Sequence, residues 1–431
     1  MRTLLFIIAL LSANAASAQR TFTLQQCIDS ARQHNVALQN AALEIEKAGE
    51  QRKEAYTKYF PQISATVNAY HLFDELANTG VNRGYSGMVS ASQPLYAGGQ
   101  IVTANRMASV AGEIAVLQQS LKEQDVVQRV TENFWKIACL KYNLQTLAAA
   151  GKQVEAIHKR VSDFVETGAA TRNALLRVRL RQQELESTRL KVENAQKVLL
   201  MLLAEQIGVD DHGFDIDTGS EMPTDASSAG GSQSLDVALP AMADAASAAV
   251  GRTELLLAAK GIEAKQLQVR MERGKLLPTL ALSVIGFQTH PFDVKMQGID
   301  LPMRNGIALV SLSIPISQWW GGTHTVRRTK MSLQQARNDY DDARRRLRID
   351  IEQAWSNLTE AYRQIGIART SVEEAGENLH MASDQYTVGR TTITDLLEAE
   401  TLNRQALDRL STALADYHVR LADYQRKTNI Q

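Results

Sequence analysis

The chain has little of what a catalytic domain uses. Its two cysteines, Cys27 and Cys139, both fall in helix-patterned stretches, so no disulfide framework is implied. Lysine and arginine total 47 against 47 for aspartate and glutamate. This neutrality removes the electrostatic footprint of a nucleic-acid binder. No phosphate-binding GxxxxGK[ST] or GxGxxG, no HExxH, no GxSxG and no CxxC occurs, and the eight histidines are scattered singly. No catalytic residue, metal site or cofactor is expected. The acids Asp339, Asp341, Asp342 and Asp350 flank Arg344–Arg346 and Arg348, which reads as a salt-bridged helix face.

Long hydrophobic runs are also missing. The run from Leu4 to Leu11 is far short of the ~20 apolar residues of a spanning helix. With Arg2 before it and Ala16-Ser-Ala18 after it, it reads as a cleavable secretory leader over 1–18. Proline is absent from Gln100 to Thr167 and from Thr323 to Thr387, and each stretch has only two glycines. At 1.5 Å per residue each would form a helix about 100 Å long.

What is present is said twice. Lys58-Tyr-Phe-Pro-Gln-Ile-Ser64 recurs as Lys275-Leu-Leu-Pro-Thr-Leu-Ala281. Val89-Ser-Ala-Ser-Gln-Pro-Leu-Tyr-Ala-Gly-Gly99 recurs as Val310-Ser-Leu-Ser-Ile-Pro-Ile-Ser-Gln-Trp-Trp-Gly-Gly322, and Gly168 with its following helix recurs at Gly389. The offsets (278−61 = 217, 315−94 = 221, 389−168 = 221) are nearly constant, the mark of one duplicated unit. The repeats are placed at 19–204 and 235–431, joined by a Gly-, Asp- and Ser-rich linker over 205–234 whose composition opposes core burial. Each would run helix, strand, strand, long helix, Gly turn, returning helix, with helices over 24–59, 171–203, 235–275 and 391–425.

Four strands are expected, about 61–73, 85–96, 277–289 and 306–316. In the first, Ile63, Ala65, Val67 and Ala69 alternate with Ser64, Thr66 and Asn68. Such strands fit a soluble sheet or a membrane barrel with a lipid-facing side. Tyr96, Trp319 and Trp320, beside Pro94, Gly98, Gly99, Pro315, Gly321 and Gly322 at the strand-to-helix junctions, favour the barrel, where an aromatic girdle would sit. Four strands cannot close in lipid, so oligomerisation is required; three copies would give twelve. The second long helix carries a coiled-coil stripe through Ala336, Leu347, Ile351, Leu358, Ala361, Ile365, Ala368 and Leu379, with a four-residue stutter at Leu347–Ile351.

The duplicated plan, the Pro-then-Gly-Gly strand exits and the segment Tyr386-Thr-Val-Gly-Arg-Thr-Thr-Ile-Thr-Asp-Leu-Leu-Glu398 resemble the TolC-like outer-membrane efflux family over the whole mature chain. The resemblance implies a mainly α fold with a small β part: a duplicated long-helix α-barrel in the periplasm under a trimeric twelve-strand β-barrel in the Gram-negative outer membrane. It implies a passive exit duct for efflux or type I secretion, a homotrimer working with a periplasmic adaptor and an inner-membrane pump. Outer-membrane lipid would surround it, and nucleic acid would not be a partner. By position, Asp395 and Glu398 match the family's acidic constriction and Tyr386 a latch; alternatively the two acids are ordinary helix-start residues. Gly168 and Gly389 would be left-handed residues ending the long helices. Asn173 and Ala174 replace Thr-Asp of the best-known member, and Thr391 replaces its Arg, so that member's closing network is not reproduced. A secreted structural coiled coil is the rival reading, and it predicts a protein soluble without detergent.

Overall fold

The computed structural model describes residues 21–71, 83–210, 213–219, 238–292 and 303–428. The expected leader, the interiors of both hairpin loops (72–82 and 293–302), residues 211–212 and 220–234 of the expected linker and residues 235–237 at the start of the expected second repeat lie outside them. The described elements are β1 Thr21–Phe22, α1 Leu24–His34, α2 Val36–Thr57, β2 Gln62–His71, β3 Arg83–Ala97, α3 Gln100–Glu166, α4 Arg172–Ile207, β4 Asp215–Ile216, α5 Ala245–Val250, α6 Thr253–Gly274, β5 Thr279–Phe292, β6 Met303–Ser313, α7 Gln318–Thr387 and α8 Ile393–Thr428. Two compact units draw on both repeats: a strand-bearing unit (41–118 and 253–343) and a helical unit (1–40, 119–252 and 344–431). The helices α3 and α7 each contribute to both.

In the strand-bearing unit one antiparallel sheet has the order β2-β3-β5-β6. Register puts Ala65 opposite Val89, Val89 opposite Gly286, Val284 opposite Ala308 and Leu282 opposite Val310. Because paired residues share a face, the alternation of single strands becomes one apolar sheet face. That face is bare: Ile63 is 73 % exposed, Val67 77 %, Val310 64 % and Leu312 64 %. On the other face Ser64 Oγ lies 2.8 Å from Ser90 Oγ, and Ser283 Oγ donates to Ser92 Oγ at 3.3 Å. Among the described residues the outer strands β2 and β6 each pair on one side only. All four helices of this unit join the same end of the sheet, where Gln93 Nε2 donates to Tyr59 O (3.1 Å) and Trp319 Nε1 to Leu276 O (2.9 Å).

In the helical unit the coiled-coil stripe of α7 is buried from Leu347 to Leu379: Ile351 1 %, Leu358 0 % and Ala361 4 % exposed. It packs with Val130, Phe134, Leu410 and Leu414 of α3 and α8. A second cluster near the Gly turns joins Leu147, Val154 and Val161 to Val178, Leu379 and Leu396.

Three expectations are corrected. The helix expected over 24–59 breaks at Asn35, which is extended (φ −65°, ψ 123°). Its side chain accepts from Ala37 N and donates to Gln206 O (2.9 Å), so one residue caps α2 and meets the end of α4. There α4 ends at left-handed Gly208, where a Cβ would lie 2.4 Å from His34 Cβ. The helix expected over 235–275 starts at Asp244, which caps α5, and is interrupted at Gly251. Part of the expected linker is core: β4 pairs in parallel with β1, Phe214 and Ile216 are 3 % and 1 % exposed, and Phe22 meets Phe214 edge-on at 5.4 Å. Two apolar residues alternating with polar ones suffice, and Lys141 Nζ anchors the strand through Asp215 Oδ2.

Candidate functional site

The turns at Gly168 and Gly389 close the two helical hairpins in the same way. Both glycines are left-handed (φ 75° and 71°). Ala169 N donates to Phe164 O (2.7 Å), and Arg390 N to Gln385 O (2.8 Å), the 6→1 bond that satisfies the last carbonyls of a helix.

Tyr386, the expected latch, is 8 % exposed and lies in the apolar cluster with Val161, Ile393 and Leu396. Its ring centroid is 6.2 Å from that of Phe164, and burial raises its phenol pKa, opposed by nearby Arg160. Asp395 and Glu398 are both exposed on the first turns of α8. Asp395 turns back on its own helix: its Oδ2 accepts from Thr392 Oγ1 (2.7 Å), Thr392 N (3.1 Å) and Thr391 Oγ1 (3.0 Å). Asp395 N donates to Thr392 Oγ1 in return, a reciprocal cap. The Thr392 and Thr391 bonds hold its carboxyl below the ordinary 3.8. Thr391 thus serves the cap, and Ala174 lies 8 % exposed in the apolar cluster, where a carboxylate would be desolvated.

What links the two hairpins was missed in the sequence. Arg160 Nη1 donates to Thr387 Oγ1 (3.0 Å), Arg177 Nη1 to Thr394 Oγ1 (2.8 Å), and Arg181 to Glu400 Oε2 through both Nε (2.9 Å) and Nη2 (2.8 Å). Arg177 therefore reaches a threonine, and among the described residues neither it nor Arg172 bridges to Asp395 or Glu398. A signal existed: the last two pairs are separated by 217 and 219 residues, close to the repeat offset of 221. Positions within about one helical turn of equivalence in the duplicated halves face one another.

At the sheet end, the register of β3 shifts between Pro94 and Tyr96. Tyr96 is 49 % exposed. Gly98 and Gly99 are left-handed, and a Cβ on Gly98 would lie 2.2 Å from Gly274 O, so this crossing admits no side chain. Pro315 precedes α7. The helix begins earlier than its sequence suggested, so Trp319, Trp320, Gly321 and Gly322 lie inside its first turns, with Gly322 packed against Leu276. Trp320 is 78 % exposed.

Among the described residues no helix is long and apolar enough to cross a membrane, and no group of three His, Cys, Asp or Glu is placed to hold a metal. The model of the outer membrane efflux protein family matches residues 27–208 and 245–424, covering both repeats. The chain belongs to the outer membrane efflux protein family. Membership places this efflux protein in the Gram-negative outer membrane, with its helical part in the periplasm. It is 25 % identical over 180 residues to outer membrane efflux protein BepC of Brucella suis, a match spanning 42 % of this chain and 38 % of that protein. Its fold is that of VceC from Vibrio cholerae (TM-score 0.75, 15 % identity, 94 % of this chain and 95 % of that one). It is also that of CmeC of Campylobacter jejuni (TM-score 0.75, 16 % identity, 94 % and 85 %) and of the open-state MtrE channel of Neisseria gonorrhoeae (TM-score 0.73, 16 % identity, 94 % and 88 %).

Proposed function

We propose that this efflux protein is a passive outer-membrane exit duct, three copies closing a twelve-stranded barrel, that works with an inner-membrane pump and a periplasmic adaptor in efflux or type I secretion. The observation that carries the reading is the sheet: among the described residues one face is apolar and bare, and both edges are unpaired. In hydrocarbon an open edge leaves N–H and C=O groups without any partner, so the sheet must close on further copies. Four strands per copy give twelve from three copies, enough for a wet lumen, whereas eight would leave little.

The Gly turns are the periplasmic entrance in this reading. A threefold axis there would gather three copies each of Asp395 and Glu398 into an acidic constriction, with buried Tyr386 steadying the hairpin behind them. Repeats spanning 19–204 and 235–431 would each supply half of every copy's strands and helices.

The test is direct. Protein extracted from outer membranes should cross-link as a trimer and open ion-conducting pores in planar bilayers, and deleting its gene should trap a compound or secreted protein in the cell. A monomer in mild detergent that never conducts would overturn the reading.

A further inference from the structure

The chain is neutral overall, but its charge is not evenly spread. From Arg304 to Asn338 there are five arginines and lysines and no aspartate or glutamate; from Arg83 to Gly112 there are two arginines and again no acid. Both stretches run through the strand-bearing unit from the sheet into the helices at its one helix-bearing end.

The cations there are left unneutralised. On α7, Arg327, Arg328 and Lys330 are all exposed, and so are Arg106 on α3 and Arg270 and Arg273 on α6. Among the described residues none of these six side chains has a carboxylate or hydrogen-bond partner. Arg106 and Arg270 line one groove with Glu113 and Glu263, but both carboxylates are taken by Lys260, the second at 2.9 Å. In the helical unit Arg181, Arg189, Arg404, Arg420 and Arg426 hold carboxylates, whereas Arg129, Arg172, Arg363 and Arg409 hold none among the described residues; what sets the strand-bearing end apart is that its unpaired Arg106, Arg327, Arg328 and Lys330 lie on stretches without acids.

Position identifies what such a belt faces. The bare apolar face runs to Leu312 at the end of β6, exposed Ile314 and Ile316 continue it, and exposed Trp320 follows on α7. Arg327 is seven residues further, about 10 Å along the helix. Arg270 lies four residues before the end of α6, about 6 Å. A headgroup layer is roughly 5–8 Å thick on each side of the hydrocarbon. Arg270 therefore stands within one headgroup layer of the end of the sheet and Arg327 just beyond it, from where its long side chain reaches back to the headgroups. Since the helices are periplasmic, that layer is the inner leaflet.

We propose that this basic belt binds the phosphates of anionic phospholipid headgroups in the periplasmic leaflet of the outer membrane. Arginine and lysine near such a surface are attracted electrostatically, and salt screens the attraction. The lipids would fix the depth of the barrel and clamp the strand-to-helix junction where Gly98 crosses Gly274.

The proposal goes beyond the duct reading and is tested separately from it. Full-length protein is reconstituted in phosphatidylcholine vesicles carrying a trace of dansyl-phosphatidylglycerol or, in parallel, dansyl-phosphatidylcholine, and energy transfer from the protein's tryptophans is read. The expected result is stronger transfer to the phosphatidylglycerol probe at low salt, fading as NaCl rises. The variant R106Q/R270Q/R327Q/R328Q/K330Q should lose that preference by more than about tenfold, since each cation near a charged surface contributes, while still conducting in neutral bilayers. Equal transfer from both probes in the wild type, or a preference that salt or the variant leaves intact, would overturn the proposal. So would inorganic phosphate at millimolar concentration abolishing the preference, because the belt would then read free phosphate and not a lipid surface. If the variant fails to fold, the salt dependence of the wild type decides alone. A protein that never conducts but keeps the preference would sink the duct reading and leave this one standing.

Discussion

Arg181 and Glu400 form an ion pair across the two repeats, Nη2 to Oε2 at 2.8 Å, with the Glu400 side chain 1 % exposed and that of Arg181 12 %. Among the described residues the second oxygen of Glu400 is buried without a hydrogen bond, so the carboxylate depends on this one arginine. Removing one partner of a buried pair strands the other charge, whereas replacing both by apolar residues of similar volume is often tolerated.

Arg181→Met should therefore destabilise by about 3–5 kcal/mol, and Arg181→Met with Glu400→Leu should recover most of the loss. Thermal melts of the purified protein give the comparison. A double variant as weak as the single would mean that the pair's geometry, not its charge, holds the hairpins.

The alanines of the α7 stripe should resist enlargement. Ala361 and Ala368 are 4 % and 7 % exposed among Ile365, Leu358 and Val372. Overpacking such sites costs about 1–3 kcal/mol each, so Ala361→Leu or Ala368→Leu should lower the melting temperature in every copy of the assembly. An unchanged melt would place these alanines against free space.

Replacing Asp395 by Asn and Glu398 by Gln should reduce cation selectivity in planar-bilayer recordings and weaken block by multivalent cations, because rings of acids select cations. The cap also sets a pH dependence. Asp395 has a folded pKa below 3.8, so its helix-start contribution is fully present above that value and is lost as pH falls through the depressed one. Cation block should accordingly survive mild acidification. Selectivity unaltered in the double variant would reduce both acids to helix-start residues.

Asp408 should behave in the opposite sense. Its carboxyl bonds Arg404 Nη1 (2.6 Å) and Thr146 Oγ1 (3.3 Å) near the Tyr142 ring, and burial raises its pKa despite Arg404 and Thr146. A raised carboxyl binds more protons folded than unfolded, so its charge destabilises at neutral pH and the penalty fades as pH falls from the raised value toward 3.8. The wild type should gain stability relative to Asp408→Asn over that window. A difference in melting temperature that is flat with pH would show the group unperturbed.

The duplication, the long helices, the strands and the left-handed Gly turns could all be read from residue order alone. Each is written in short-range terms: period, proline absence, glycine position, and motifs recurring at a constant offset. The tip segment Tyr386–Glu398 was legible for the same reason, down to the acids of α8.

Which residues meet is settled by packing. The break at Asn35 is made by Gln206, 171 residues away, and burial of Phe214 and Ile216 depends on a strand pairing with Thr21–Phe22. The Arg181–Glu400 pair and, among the described residues, the capture of Glu113 and Glu263 by Lys260 instead of Arg106 or Arg270 follow from how neighbouring helices pack. Local patterns fix what each segment can form, because backbone sterics and helix or strand periodicity act over a few residues. Side-chain pairing acts across hundreds, and so it is set only when the halves of the duplication are brought face to face.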